Sequence, residues 1–167
     1  MTQYPNTIGD YMMAGCRDYF DFLSRLDNDP QYCFRYLLDG LDKKHPTYAR
    51  CLNTISKDPK IALDTASKII KGRFEIAEEA ISKSSVHSYF YARDILKGRF
   101  ALGESAIATD AKVSYDYARH VVMGRFELGE IAMAEDEDIA YHYATDIIKG
   151  ELPEVMHNAM LAKRIAA

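Results

Sequence analysis

Residues 89–104 read YFYARDILKGRFALGE, and the triplet Gly98-Arg99-Phe100 inside this stretch recurs along the chain. A copy of the triplet begins 26 residues earlier and another begins 26 residues later. A fourth, altered copy begins at Gly150. Self-similarity at a fixed period of roughly 20–50 residues indicates an array of structural repeats. We number the repeats one to four by their glycines, which are Gly72, Gly98, Gly124 and Gly150.

The residues before each glycine have the spacing of a helix. An alanine lies six residues before it, aliphatic residues lie two and three before it, and Leu63 or a tyrosine lies nine before it. These offsets place the residues on one face of an α-helix. The helix is predicted to start after a capping residue, and Pro59 follows the first of these at a position that accepts proline. The predicted capping residues are Asp58, Ser84, Asp110 and Asp136.

Each repeat is predicted to contain two helices. The first should run for about 13 residues and end at the glycine, because glycine adopts the left-handed conformation of a helix end without steric cost. A shorter second helix follows, with Phe100 and Ile107 on its apolar face in the second repeat. The fifth position after the glycine is small, at Ala77, Gly103 and Gly129. Glycine within a helix costs up to about 1 kcal/mol relative to alanine, so we expect a neighbouring backbone to approach closely here.

A two-helix hairpin of this size cannot bury its apolar face alone, and stacking of successive hairpins solves this. We therefore predict an all-α fold, a short α-solenoid of stacked 26-residue repeats with divergent ends. Residues 1–167 are expected to form one domain, with regular repeats over 58–150, an N-terminal cap over 1–57 and a C-terminal cap over 151–167. Pro153 interrupts the second-helix pattern of the fourth repeat, and a closing helix is expected over 156–167.

The stretch 89–104 resembles a repeat found in tandem in proteins of tailed bacteriophages. Their pattern is close to Y-x-Y-A-x-x-[IV]-[IL]-K-G-R-[FW]-x-x-[GA]-E. The resemblance covers residues 58–150 and departs at Leu63 and Thr65, where the pattern has tyrosines, and in the fourth repeat, where its Arg, Phe and Glu are lost. It implies a phage or prophage origin. It supplies no catalytic motif and therefore implies no chemistry.

The composition is that of an ordinary globular protein with an acidic balance. The chain has a formal net charge of −4 and an isoelectric point near 5.7. Affinity for nucleic acid depends on clustered Lys and Arg, so this balance disfavours nucleic acid as the main partner. The N-terminal residues lack the basic and apolar regions of a signal peptide, and apolar runs are short. We expect no membrane segment and a cytoplasmic location.

The sequence carries little that points to catalysis. Cys16, Cys33 and Cys51 lie among apolar residues and include no C-x-x-C pair, so we interpret them as buried, reduced thiols. No phosphate-binding, hydrolase or zinc motif occurs. We therefore expect no enzymatic activity, no cofactor and no metal. An enzyme is the alternative, because carboxylates from separate parts of the sequence can meet in a groove and form an active site.

Repetition turns single residues into rows. One row lies seven residues before the glycine and consists of Tyr91, Tyr117 and Tyr143. A second directly follows the glycine and consists of Arg73, Arg99 and Arg125. A third lies five residues further on and consists of Glu78, Glu104 and Glu130. Three lysines directly precede the glycine, at Lys71, Lys97 and Lys149, and the first two are candidate partner-binding residues.

These rows have structural and functional interpretations. The tyrosines fit packing between repeats, with an exposed aromatic row that grips a partner as the alternative. The Arg and Glu rows fit ion pairing between adjacent repeats, because an offset of five places the two side chains poorly within one helix. If the glutamates point elsewhere, the arginines and lysines form a basic stripe beside the tyrosines. Such a stripe could hold single-stranded nucleic acid or a nucleotide.

We therefore predict a non-catalytic binding module with the Tyr, Arg and Lys rows as candidate partner-binding residues. The resemblance implies that the partner is a host protein in the host cytoplasm, since phages encode small proteins that redirect or block host machinery, including defence systems. The alternative is a nucleic-acid or nucleotide binder. No membrane partner is expected, and an incompletely capped end of the stack would favour a homodimer.

Overall fold

The structure is a computed structural model that describes residues 16–166. This part of the chain is helical and contains no strand, which confirms the predicted all-α class. It divides into two compact units, of which the first extends to Ala77 and the second begins at Glu78. No helix within the described residues combines the length and the apolar composition needed to cross a membrane.

Three helices precede the repeats in the first unit. They are α1 (Cys16–Asn28), α2 (Pro30–Leu38) and α3 (Pro46–Ile55). The second and third each begin with proline, directly after a capping residue. The Asp29 and His45 side chains accept hydrogen bonds from main-chain N–H groups of the first turn, which would otherwise lack partners.

Two of the three cysteines lie in the core of the first unit. Cys33 on α2 and Cys51 on α3 are free and fully buried. The Cys33 Sγ donates to the main-chain oxygen of Leu26 at 3.3 Å, and Thr54 Oγ1 donates to the same oxygen at 2.6 Å. These bonds attach α2 and α3 to α1. The prediction of buried thiols is confirmed for Cys33 and Cys51, and the side chain of Cys16 lies outside the described part.

The repeats supply the remaining helices, and the first helix of each repeat is an α-helix whose last turns widen into π-helix geometry. In chain order the helices are α4 (Pro59–Thr65 and Ala66–Ile70), α5 (Glu78–Ser82), α6 (Ser85–Phe90 and Tyr91–Leu96), α7 (Glu104–Ile107), α8 (Ala111–Tyr117 and Ala118–Val122), α9 (Glu130–Ala134), α10 (Glu137–His142 and Tyr143–Ile148) and α11 (Glu154–Ala166).

The predicted helix starts are confirmed in all four repeats. Each capping side chain accepts a hydrogen bond from the main-chain N–H three residues further on, as the carboxylate of Asp58 does from Ile61 at 2.9 Å. A capping residue of this kind contributes about 1 kcal/mol to helix stability.

The predicted helix end is wrong by one residue. The left-handed conformation falls on the residue before the glycine, and none of the four repeat glycines has a positive φ. Lys71, for example, has a φ of 58°. The N–H of Gly72 donates to the oxygen of Ala66 at 3.0 Å, a bond that spans six residues instead of the five of a Schellman ending. The glycine is thus the last donor of the helix end and lies one residue past the left-handed position.

The second helices are short and begin with a tight 3₁₀ turn, over Glu75–Ala77, Ala101–Gly103 and Glu127–Gly129. The last residue of each turn is the small residue noted in the sequence. A Cβ atom on Gly103 would lie 2.6 Å from the Cβ of Ser88 and 2.5 Å from the Cδ1 of Phe100. The close approach is therefore present, but side chains and not a neighbouring backbone cause it, which corrects the prediction.

Helices of successive repeats contact one another in chain order within the second unit. The first helix of a repeat packs on the second, as α6 does on α7 and α8 does on α9. Between repeats, α6 contacts α8 and α8 contacts α10. The second-helix segments also meet, since α7 contacts the turn Glu127–Gly129.

A further helix, α11, follows the fourth repeat, as the sequence predicted. It packs on α9, and Met156 is buried. The Lys163 Nζ also donates to the main-chain oxygen of Glu135 at 2.6 Å. Its start at Glu154, directly after Pro153, agrees with the limited tolerance of proline in helix interiors.

Candidate functional site

The Arg and Glu rows form ion pairs within a repeat. The guanidinium of Arg99 donates through Nε and Nη2 to the two carboxylate oxygens of Glu104, at 2.7 Å and 2.8 Å. Arg125 binds Glu130 in the same way, at 2.6 Å and 3.0 Å. The arginines lie in the non-helical turn before the second helix, so the five-residue offset does not separate the partners. The expected pairing between adjacent repeats is corrected to pairing within one repeat.

The tyrosine row supplies the connection between repeats. The hydroxyls of Tyr91, Tyr117 and Tyr143 donate to Glu78, Glu104 and Glu130 at 3.0 Å, 2.8 Å and 3.2 Å. Each of these glutamates belongs to the repeat before that of its tyrosine. The hydroxyls of Tyr117 and Tyr143 also accept from main-chain N–H groups of the preceding repeat, those of Phe100 at 3.0 Å and Phe126 at 2.9 Å.

The rings of Tyr91 and Tyr117 pack inside their own repeats. Tyr91 lies edge-on to Phe100 with 5.2 Å between ring centroids, and Tyr117 lies edge-on to Phe126 at 5.0 Å. Edge-to-face pairs of this kind are favourable by about 0.5–1.5 kcal/mol beyond the area they bury. Tyr91 and Tyr117 therefore each belong to the core of one repeat through the ring and to the preceding repeat through the hydroxyl.

Burial and charge set the ionisation of this network. The Arg99 guanidinium holds the pKa of Glu104 below its ordinary value, and the Tyr117 hydroxyl acts in the same direction. Burial raises the pKa of Tyr117 and of Tyr143 to about 12. At neutral pH the network thus contains a carboxylate, a guanidinium and a neutral phenol, which is the combination that its hydrogen bonds require.

Burial removes the tyrosine row from the candidate partner-binding residues. Tyr91, Tyr117 and Tyr143 are fully buried, so the expected alternative of an exposed aromatic row is incorrect. The proposed basic stripe loses its stacking residues with them, and Arg99 and Arg125 already bind carboxylates. The nucleic-acid alternative therefore has no specific observation in its favour.

A second tyrosine column, nine residues before the glycine, links the first helices. The Tyr89 hydroxyl lies 3.2 Å from the His120 Nδ1 of the next repeat, and the Tyr115 hydroxyl donates to Asp146 at 2.7 Å. Arg93 and Arg119 donate to the same two hydroxyls. Tyr141 occupies this position in the fourth repeat and is exposed. Tyr89 and Tyr115 of this column therefore connect neighbouring repeats, as the first tyrosine row does.

The exposed residues that recur lie in the turns that join the first helix of a repeat to the second. Ile76, Leu102 and Leu128, four residues after the glycine, are 60%, 55% and 60% exposed. Lys71 and Lys97 are exposed directly before the glycine, where the third repeat has Met123. Within the second unit we define the turn edge as Lys97, Arg99, Leu102, Met123, Arg125 and Leu128.

The aliphatic residues of the turn edge are functional candidates that sequence reasoning missed. They recur with the period of the repeat, but they fall within the predicted second helix, and the period alone does not show that they face solvent. The usable signal is that this position stays aliphatic through the first three repeats while an exposed neighbour changes. Three residues after the glycine, for instance, stand Glu75, Ala101 and Glu127.

The other predicted partner-binding residues are not part of the turn edge. The three tyrosines are buried, and Lys71 and Arg73 belong to the first unit. Arg73 lies in the first unit with its Nε 3.9 Å from Glu75 Oε1. Within residues 16–166, no group of three or more His, Cys, Asp or Glu side chains has an arrangement that could hold a metal ion. Each buried side-chain nitrogen or oxygen in this part of the chain has a hydrogen-bond partner.

Comparisons with protein-family models, with curated proteins and with solved structures found no match for this chain.

Proposed function

We propose that the repeats of the second unit stack in series, as in an α-solenoid, and that this stack is a non-catalytic protein-binding module. The stacking is supported by the tyrosine–glutamate bonds, which join each repeat to the one before it. Solenoids of this kind present extended surfaces to which each repeat contributes equivalent residues.

One observation carries the assignment of protein binding. Leu102 and Leu128 are more than half exposed at the same position of successive repeats. Scattered exposed apolar residues are common on protein surfaces, but a repeated one concentrates apolar area along a single line. A protein partner that buries this line is favoured over a polar ligand.

The resemblance to tandem repeats of tailed bacteriophages supports a partner of host origin. On that basis, the protein acts in the cytoplasm of a bacterial host and binds a host protein whose activity it modulates. A component of host defence is one class of target that fits this role.

The proposal is tested by affinity capture from bacterial lysate with immobilised protein. We compare the unaltered chain with the double variant Leu102→Asp, Leu128→Asp. The matched control is Val86→Asp, Ile165→Asp, which places the same charges at two exposed apolar positions away from the turn edge. Circular dichroism verifies that all three proteins are folded.

A host protein that the unaltered chain and the control capture in stoichiometric amount, and the turn-edge variant does not, is the expected result. Absence of any captured protein above background would refute the proposed function. Equal capture by all three proteins would retain the binding module and remove the turn edge as its site.

A further inference from the structure

We infer that the turn edge binds an amphipathic α-helix of the partner, which lies along the edge with its acidic end over the second repeat. This inference rests on the proposed function and specifies the kind of partner. Helix binding along an apolar line uses aliphatic anchors at one helix face, spaced by three, four and seven residues.

The spacing of the aliphatic residues fits a helix. Leu102 and Leu128 are equivalent residues of repeats whose helices contact one another. Packed helices lie about 8–10 Å apart. Seven residues of an α-helix rise by about 10 Å. Two apolar residues of the partner that are seven positions apart can therefore contact Leu102 and Leu128 together.

The third repeat extends the apolar part of the edge. Met123 is 82% exposed at the position where the second repeat has Lys97, and Ile131 is exposed one helical turn after Leu128. Unbranched methionine adapts to varied apolar surfaces and is favoured where helices bind. The end of the partner helix over the third repeat should consequently be apolar.

The second repeat supplies the positive charge. Lys97 is exposed, and the carboxylate of the nearby Asp94 is bound by Arg93 at 2.7 Å. The side chain of Arg99 is 59% exposed while that of its partner Glu104 is 8% exposed, so the positive end of this pair faces solvent. In the third repeat the exposed Glu127 lies 3.7 Å from Arg125 and offsets its charge. Carboxylates of the partner are therefore expected over the second repeat.

The test is a selection from a yeast-displayed library of randomised peptides of helix-favouring composition, with the full-length protein as bait. Enriched peptides are synthesised, and their affinities are measured by fluorescence anisotropy against the unaltered chain and three variants. Leu128→Asp and Lys97→Glu alter the edge, and Val86→Asp is the matched control.

The expected peptides have aliphatic residues seven positions apart and Asp or Glu toward one end. Their affinity should fall at least tenfold with Leu128→Asp and with Lys97→Glu, and should not change with Val86→Asp. Replacing the acidic residues of the peptide by lysine should restore affinity for Lys97→Glu.

Peptides without this spacing, peptides enriched in basic residues, or a selection without any binder would each overturn the inference. The capture experiment keeps this failure distinct from failure of the proposed function. If lysate capture depends on the turn edge while the selected peptides lack the pattern, the module binds a protein surface other than an amphipathic helix.

Discussion

Within a repeat, the residue that faces the small position of the second helix is also small. The pair is Ser88 with Gly103 in the second repeat and Ser114 with Gly129 in the third. The equivalent positions in the first repeat are two buried alanines. Serine with glycine has the same number of side-chain heavy atoms as alanine with alanine, which indicates a fixed volume between the helices. The serine hydroxyl is also bonded, as Ser88 Oγ donates to the oxygen of Ile81 at 3.0 Å.

Two glycines of the third repeat should respond differently to alanine. Gly129→Ala should lower the free energy of unfolding by about 1–3 kcal/mol, because the added methyl would overlap Ser114 and Phe126. At Gly124 a Cβ atom would meet nothing within 4 Å, so Gly124→Ala should change it by less than about 0.5 kcal/mol. Urea titration followed by circular dichroism measures both. Equal destabilisation would contradict the close approach.

The buried tyrosine hydroxyls should also matter for stability. Tyr117→Phe leaves the buried N–H of Phe100 without its acceptor and Glu104 without one donor, and should cost about 1–3 kcal/mol of unfolding free energy. Tyr141→Phe changes an exposed ring and should cost less than about 0.5 kcal/mol. Thermal and urea unfolding of the two variants provide the comparison. Similar losses of unfolding free energy in both variants would show that the hydroxyl hydrogen bonds of Tyr117 do not contribute to stability.

At the scale of the elements, one polar network joins three segments. Arg99 lies in the turn before α7, Glu104 lies on α7, and Tyr117 lies on α8 of the next repeat. Because the carboxylate is buried and both its oxygens are occupied, displacing α8 would leave charged or polar groups unsatisfied. The network therefore fixes the position of one repeat on the next, in addition to the apolar contacts.

This network makes stability depend on pH. The folded-state pKa of Glu104 is below the unfolded value of about 4.3. Its contribution is therefore complete above that value and is lost as the pH falls through the folded pKa. Glu104→Gln should cost about 1.5–3 kcal/mol at neutral pH. The difference from the unaltered chain should shrink below about pH 4, as measured by urea titration at several pH values. A difference that stays constant down to about pH 2 would contradict this account.

At the scale of the whole molecule, the helix that follows the fourth repeat covers part of an apolar face of the second unit. This helix, α11, packs on α9. Met156 is the buried residue of this contact, whereas Leu161 and Ile165 of the same helix are exposed. An ion pair of 3.6 Å between Arg164 and Glu137 adds little, because both side chains are exposed.

Removal of the buried Met156 side chain should therefore weaken the packing of α11 on α9. Met156→Ala should lower the free energy of unfolding by about 2–5 kcal/mol, the range for large-to-small changes in a core. Leu161→Ala, at an exposed position of the same helix, should have an effect below about 1 kcal/mol. Hydrogen exchange should show faster exchange of α9 amides in the Met156 variant. Unchanged protection of α9 would show that α11 does not stabilise it.

The sequence by itself determined the repeat length, the helical class, the helix starts and the closing helix. Each of these follows from local chemistry: the period from direct recurrence, and the starts from side chains that bond a main-chain N–H three residues away, as Asp58 does. The predicted position of the left-handed residue at the helix end was wrong by one residue. The hydrogen bond from the Gly72 N–H spans six residues, and the presence of a glycine does not reveal the length of that bond.

Only the tertiary structure decided which rows meet. Tyrosine, arginine, glutamate and exposed leucine all recur with the same period, so periodicity cannot rank them as core, network or surface. That ranking depends on how far one helix is shifted and rotated against the next. In the structure this offset brings Tyr117 to Glu104 of the preceding repeat and leaves Leu102 in water, because a helix face can be covered only where its neighbour lies.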